Sequence, residues 1–294
     1  MSRLLFALPV ALSTLALSAQ TAAPEPDAAT IMARVAANQD RSQAERAHYV
    51  YVQHARVTSR NGKTVRCEEF TDSRVVPAAA GSAQQLIKLD GRVLVKHNYS
   101  TYTEPLKHAS HDSDIDVGDA TSTDREIVEG MRNSLTSSKT KDGIGAGLFP
   151  LTSKSQADYA FHLIGRERMN GRDVYHLTFV PKDHDDLGWK GDAFIDTDAY
   201  QPVLVRTAMS RNMPFAVRTL LGTSLPGLGF TVIYAPQPGG VWFPVSFGTE
   251  FKIHILFFFN RQITLSAENH DFEQTHVDSK IIPIESADST SPQP

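Results

Sequence analysis

Beyond Asp158 apolar and polar side chains alternate over most of the chain, the period-two signature of half-buried strands. DYAFHLIGRERM and RDVYHLTFVPK flank Asn170-Gly171, and DAFID and PVLVRTAM flank a short polar turn. GFTVIYAP and VWFPVSFGTEF flank Gly239-Gly240, and FKIHILFFFN and RQITLSAENHDF complete the series. Asn-Gly between two alternating runs is a two-residue hairpin signal. The same signal recurs upstream, where YVYVQHARVTS and KTVRCEEFTDSRVV flank Asn61-Gly62. AQQLIKLDGRVLVKHN reads as two strands joined by a turn at Asp90-Gly91.

Helical spacing occurs twice. Ile31, Met32, Val35 and Ala36 share one face of a segment that Asp27 or Thr30 could cap. Ile127, Val128, Met131 and Leu135 share one face of DREIVEGMRNSLTSS. The stretch STYTEPLKHASHDSDIDVGDATSTD between them is polar and without period, so it reads as a long loop. Strands outnumber helices and most are joined by tight turns. The pattern predicts a large antiparallel sheet, curled or partly closed, with a few helices against it.

Composition narrows the class. The 294 residues are 41% hydrophobic and 21% charged, ordinary for a folded domain, and the net charge of −4 speaks against nucleic acid as a partner. The N-terminus has Arg3, an apolar core from Leu4 to Leu17 and then small residues, the layout of a secretory signal peptide over 1–23; an uncleaved anchor is the alternative. LSAQ at its end resembles a lipoprotein cleavage box with Gln20 in place of the lipid-bearing cysteine, so release without a lipid anchor is expected. A single domain over 27–280, with a polar insert near 100–147, and a disordered Pro/Ser-rich tail over 285–294 follow from the same reading. The only cysteine, Cys67, can form no intrachain disulfide and reads as a small packed residue.

Catalytic motifs are near misses. GTSLP at 222–226 lacks the second glycine of a nucleophile elbow, and GIGAG at 143–147 lacks dinucleotide-site spacing. His108, His111, Asp112 and Asp114 could hold Zn²⁺ or Ca²⁺, but a solvated loop explains them as well, and His270 and His276 lack the spacing of a zinc-protease helix. Asp192, Asp196 and Asp198 crowd one short stretch and read as a hairpin turn whose charges stay wet, next to Phe194 and Ile195. No catalytic residue, metal site or cofactor is assigned. FKIHILFFFN is apolar on both faces as a strand, so it is either plain core or the lining of a cavity.

Ile195-Asp196, the turn Thr197 to Gln201 and Pro202-Val203, followed by Tyr234, Gly239-Gly240 and Phe243-Pro244, resemble the LolA-like outer-membrane lipoprotein-sorting family. The likeness covers about residues 150–275. It implies a mainly β (α+β) fold, a strongly curved antiparallel sheet forming an unclosed half-barrel with covering helices. It also implies a non-catalytic, periplasmic carrier whose cavity accepts lipoprotein acyl chains or lipids, with transient membrane contact. The alternatives are an envelope-stress regulator that senses lipid and binds a protein partner, and a metal-dependent hydrolase built on the His/Asp loop.

The alternation itself offers the lining of an apolar pocket. The candidates are Phe161, Leu163, Leu177, Phe179, Val203, Val205, Ile255 and Phe257. Residues 211–229, with Phe215, Val217, Leu220 and Leu221 ahead of glycines, would form a lid or a plain inter-strand connection.

Overall fold

A computed structural model describes residues 25–78, 81–106, 120–136, 140–141, 144–145, 150–183, 188–209, 223–224, 228–255 and 259–275. Helix α1 (Ala28–Arg46) begins at Asp27, whose carboxylate accepts from the Thr30 amide at 2.7 Å as an N-cap. Strands β1 (Tyr49–Asn61), β2 (Thr64–Ala78), β3 (Gly81–Val95) and β4 (Asn98–Tyr102) follow as a meander. Then come α2 (Ala120–Thr136), the short β5 (Thr140–Lys141) and β6 (Ile144–Gly145), and one turn of helix, α3 (Ser153–Gln156). The second half is β7 (Tyr159–Met169), β8 (Arg172–Pro181), β9 (Trp189–Asp196), β10 (Pro202–Met209), β11 (Thr223–Ser224), β12 (Gly229–Pro236), β13 (Trp242–Ile255) and β14 (Phe259–Gln274).

One antiparallel sheet takes in nearly all of them, in the order β4-β3-β2-β1-β14-β13-β12-β10-β9-β8-β7, with β11 pairing with β13. β4 and β7 are its edges, so the sheet is not closed into a barrel. It curls. The Arg172 guanidinium at the start of β8 lies 5.2 Å from the Trp242 ring at the start of β13. Four inter-strand spacings separate those strands, about 19 Å along a flat sheet.

Residues paired across successive ladders form rows on the inner face. Leu163, Leu177, Ala193, Val205, Val232, Phe247, Ala267, Ala55, Thr71 and Leu89 oppose one another in turn from β7 to β3. All but the half-buried Leu163 are buried. α1 crosses this face from β7 to β13. At 1.5 Å per residue its nineteen residues span about 28 Å, which matches five strand spacings. Polar side chains fix its course. Asn38 donates to the Ala199 carbonyl (2.9 Å), Gln39 to Gln201 Oε1 (2.5 Å) and Arg46 to the Trp242 carbonyl (2.8 Å). α2 covers the same face of β1, β2 and β3, with Ile127 and Val128 buried as the periodicity predicts.

Several local expectations are corrected. Asp90-Gly91 is not a turn, because β3 runs through it and reverses only at Lys96-His97. The glycine is needed because the Tyr102 ring on β4 lies over it, and a Cβ there would stand 2.1 Å from Tyr102 Cζ. The polar stretch after it opens with β4, so it is not loop throughout. The first hairpin turns at Gly62-Lys63, one residue later than Asn61-Gly62. Asn170-Gly171 does form its turn, with both residues at positive φ (51° and 80°), the type I′ requirement. FKIHILFFFN is not one strand, since β13 ends at Ile255 and β14 starts at Phe259. Asp196 is buried, not wet: its Oδ1 accepts from the Asp198 and Ala199 amides (3.0 and 2.8 Å) and its Oδ2 from Arg172 (2.9 Å). Phe194 faces the outer surface, stacked on His176 at 4.4 Å.

Candidate functional site: the inner face of the sheet

The candidate lining residues gather on this face. Leu163 opposes Leu177, Phe161 opposes Phe179, and Val205 belongs to the same row through Ala193. Val203 is the extra residue of a bulge and is buried in the same cluster. The backbone of Ile255 pairs with Thr223 and Phe259, and Phe257 lies outside the described residues, as do the His108–Asp114 cluster, His276, the signal segment, the tail and most of the 211–229 segment. Thr223 and Ser224 pair with β13 as a strand, not as a nucleophile elbow.

Burial sorts these residues. Leu177, Phe179, Val203 and Val205 are packed shut, whereas Phe161 and Leu163 keep part of their surface. Four residues that the sequence reading did not select join those two: Tyr159, Trp189, Phe230 and Ile253 pack on the core while half-buried. They stand toward one end of the sheet, where β7, β9 and β12 begin and β13 ends. Trp189 meets Phe230 edge-on (4.9 Å), Phe230 leans on Phe247 (5.3 Å), and Tyr159 and Phe161 flank Phe179 (6.0 and 6.3 Å). The signal that could have found Tyr159 and Trp189 is simple. Tyr159 is two residues before Phe161 on the same face, and Trp189 heads its strand.

Polar atoms on this apolar end are turned away from it. Thr207 Oγ1 accepts from the Phe230 amide (3.1 Å), and Thr249 Oγ1 donates to the Gly229 carbonyl (2.6 Å). Tyr159 Oη accepts from the Trp189 amide (3.3 Å). The hydroxyls therefore serve backbone groups, and the surface they leave is hydrocarbon and aromatic ring. Such a face binds by area, not by hydrogen bonds, at roughly 25 cal/mol per Å² removed from water.

Beneath α2 the inner face is ionic. Asp124, fully buried, takes Arg261 through Nε (2.6 Å) and Nη2 (2.9 Å), accepts from Ser59 Oγ (2.6 Å), and lies 3.5 Å from Arg66 Nε. Arg132 bridges Glu69 (2.8 Å) and Glu129 (3.2 Å), and Arg125 also binds Glu129 (2.7 Å). Burial holds the Glu69 carboxyl above its usual range despite Arg132. Cys67 lies in this region, 3.4 Å from Tyr102 Oη, and burial pushes its thiol up to about 12, so it is no nucleophile at neutral pH. On the outer face His176 is held by Asp192 (2.8 Å) and Glu167 (2.7 Å). Burial opposes its charge, the two carboxylates overcome that, and its pKa is raised. No hydroxyl or thiol nucleophile is bonded to it among the described residues, and none of their His, Cys, Asp and Glu side chains form a group of three that could hold a metal ion. A hollow of about 460 Å³ at the opposite end of the sheet is lined by Asn38, Arg41, His48 and Gln201 and is polar.

No family model matches the chain, and no curated protein matches it. Solved structures do. A putative outer membrane lipoprotein-sorting protein domain from Vibrio parahaemolyticus is 12% identical, with 84% of this chain and 94% of that one covered at a TM-score of 0.37. A LolA superfamily protein from Nitrosomonas europaea is 11% identical, with 86% and 96% covered at 0.35. The Mycobacterium tuberculosis lipoprotein LppX is 11% identical, with 83% and 96% covered at 0.27. The strand-and-turn pattern of the sequence implied structures of this superfamily, and they are among the similar ones; at these scores they assign no ligand.

Proposed function

We propose that the protein is a non-catalytic binder of apolar ligands, a periplasmic carrier of lipid or of lipoprotein acyl chains. The observation that carries this reading is the half-buried aromatic and aliphatic group Tyr159, Phe161, Trp189, Phe230 and Ile253. Large apolar side chains left part-exposed side by side on the inner face, with neighbouring hydroxyls tied to backbone, suit a hydrocarbon ligand. Phe161 belongs to this group, and Leu163, Leu177, Phe179, Val203 and Val205 pack in the same cluster, which supports the reading.

Delipidated protein is expected to take up a fluorescent fatty acid analogue at one saturable site and to quench Trp189 emission on binding. Phe230→Asp places a charge where the chain would lie and is expected to weaken uptake at least tenfold while the far-ultraviolet spectrum stays native. Unsaturable uptake, or full uptake by the Asp variant, would overturn the reading.

A further inference from the structure

Charge is unevenly distributed along this chain. Between Tyr49 and Tyr102 there are eight Lys or Arg and four Asp or Glu, in a protein whose net charge is −4. β1 to β4 are thus a basic arm on a chain that is otherwise acidic. Two of the arm's four acids are off its surface, while the half-buried Asp72 and the exposed Asp90 pair with His54 and Lys88, away from the hairpin tips. Glu69 is on the inner face with Arg132, and Glu68 is buried between Arg56 and Arg92. Those two arginines remain nearly half exposed and lie over aromatic rings, Arg56 over Phe70 (5.1 Å) and Arg92 over Tyr99 (4.8 Å).

The excess is sharpest at the two hairpin tips, Gly62-Lys63 and Lys96-His97. No Asp or Glu occurs in residues 59–67 or 91–103. Lys63, Lys96 and His97 are exposed there beside Val95 (40%) and Tyr99 (45%). The Tyr99 hydroxyl donates to the Val65 carbonyl at 3.0 Å, tying one tip to the other. Exposed ammonium groups interleaved with an aliphatic and an aromatic side chain suit the headgroup layer of a bilayer, which offers anions and an apolar depth together. The tips stand at the same end of the sheet as the half-buried aromatic group, because the β13 end and the β14 start lie beside the β1–β2 turn.

We propose that the β1–β2 and β3–β4 tips dock the protein on an anionic membrane surface, with Lys63 and Lys96 meeting lipid phosphates and Val95 and Tyr99 entering the interface. The docking surface stands on charge and exposure alone, whatever ligand the inner face takes. Where both hold, docking presents the apolar end of the sheet to lipid.

The test is flotation of the purified protein with vesicles of phosphatidylcholine alone and of phosphatidylcholine mixed with phosphatidylglycerol. Binding is expected on the anionic vesicles only, and it should weaken as salt rises. Each basic group near such a surface contributes about fivefold to partitioning, so the double variant Lys63→Gln/Lys96→Gln should lose about 25-fold. Tyr99→Ser should lower binding at high salt, where charge is screened. Lys154→Gln on α3, at the other edge of the sheet, should change nothing. Equal binding to both vesicle types, no binding to either, or an equal loss from Lys154→Gln would each overturn the proposal. So would capture of an acidic polypeptide such as polyglutamate by a protein that ignores the vesicles. Fatty acid uptake is measured separately, so its failure would leave the docking result standing.

Discussion

Beneath α1, the inner face of β7 to β13 is filled by Leu177, Ala193, Ile195, Val205, Val232 and Phe179, and Asn38, Gln39 and Arg46 tie the helix to the sheet with no buried ion pair among the described residues. Beneath α2, the same face of β14, β1 and β2 is crossed by Asp124–Arg261, Arg132–Glu69 and Arg132–Glu129. The first half gains from every apolar atom it buries. The second removes charges from water, and their mutual attraction returns that cost only while every partner is present. The difference assigns the halves different work: the apolar half can exchange one hydrocarbon contact for another and so can admit a ligand, while the ionic half fixes where α2 sits.

The sharpest way to break this contrast is to unpair the ionic half. Asp124→Ala leaves the Arg261 guanidinium buried, with the Asn260 carbonyl its one remaining acceptor among the described residues. The expected loss is about 3–5 kcal/mol of unfolding free energy, read from denaturant midpoints. In the apolar half, Leu177→Ala creates a cavity at a residue with no exposure and should cost about 3 kcal/mol. The two variants should part over ligand: a fatty acid should restore some stability to Leu177→Ala by filling its cavity, and none to Asp124→Ala. Equal rescue of both would dissolve the distinction.

A smaller effect probes the border between strands on the ionic side. Gly91→Ala would force the Tyr102 ring off β3 and with it the Tyr102 Oη bond to Glu69 (3.2 Å). Overpacking of this kind costs about 1–3 kcal/mol. The thiol of Cys67 should then react faster with an aromatic disulfide reagent, because Tyr102 no longer packs beside it.

The apolar half was legible in the sequence because its information is local. Alternation in YAFHLIG, VYHLTF and PVLV separated the two faces of β7, β8 and β10 without any knowledge of partners, though not which of the two is inner, and Asn170-Gly171 placed a turn. The ionic half was not legible, because an alternating strand with Glu69 or Arg261 on its core side reads as a strand with its polar face to water. What reverses that reading is a partner far along the chain: Asp124 and Arg261 are 137 residues apart. Gly91 misled for a related reason. A glycine after aspartate signals a turn locally, yet here the glycine makes room for a tyrosine on the next strand. Tyr159 and Trp189 were passed over because they stand at strand starts, although the period that marks Phe161 reaches back two residues to Tyr159.

The smallest effect concerns the outer face, where charge meets water and a pH change reads it out. His176 lies between Glu167 and Asp192 and over the Phe194 ring, with Arg206 near the same ring at 5.7 Å. Its partial burial lowers its basicity, and the two carboxylates raise it by more, so the folded-state pKa exceeds the unfolded value near 6.5. The imidazolium therefore stabilises the β7–β8–β9 ladder fully below about pH 6.5, and that contribution is lost as pH rises through the higher folded-state value. Because Glu167 and Asp192 are part exposed, the effect should stay under about 1 kcal/mol. His176→Gln should remove this slope from a plot of stability against pH while leaving the alkaline value nearly unchanged. A slope of the same size in the Gln variant would assign the titration to another group and leave His176 a packing residue over Phe194.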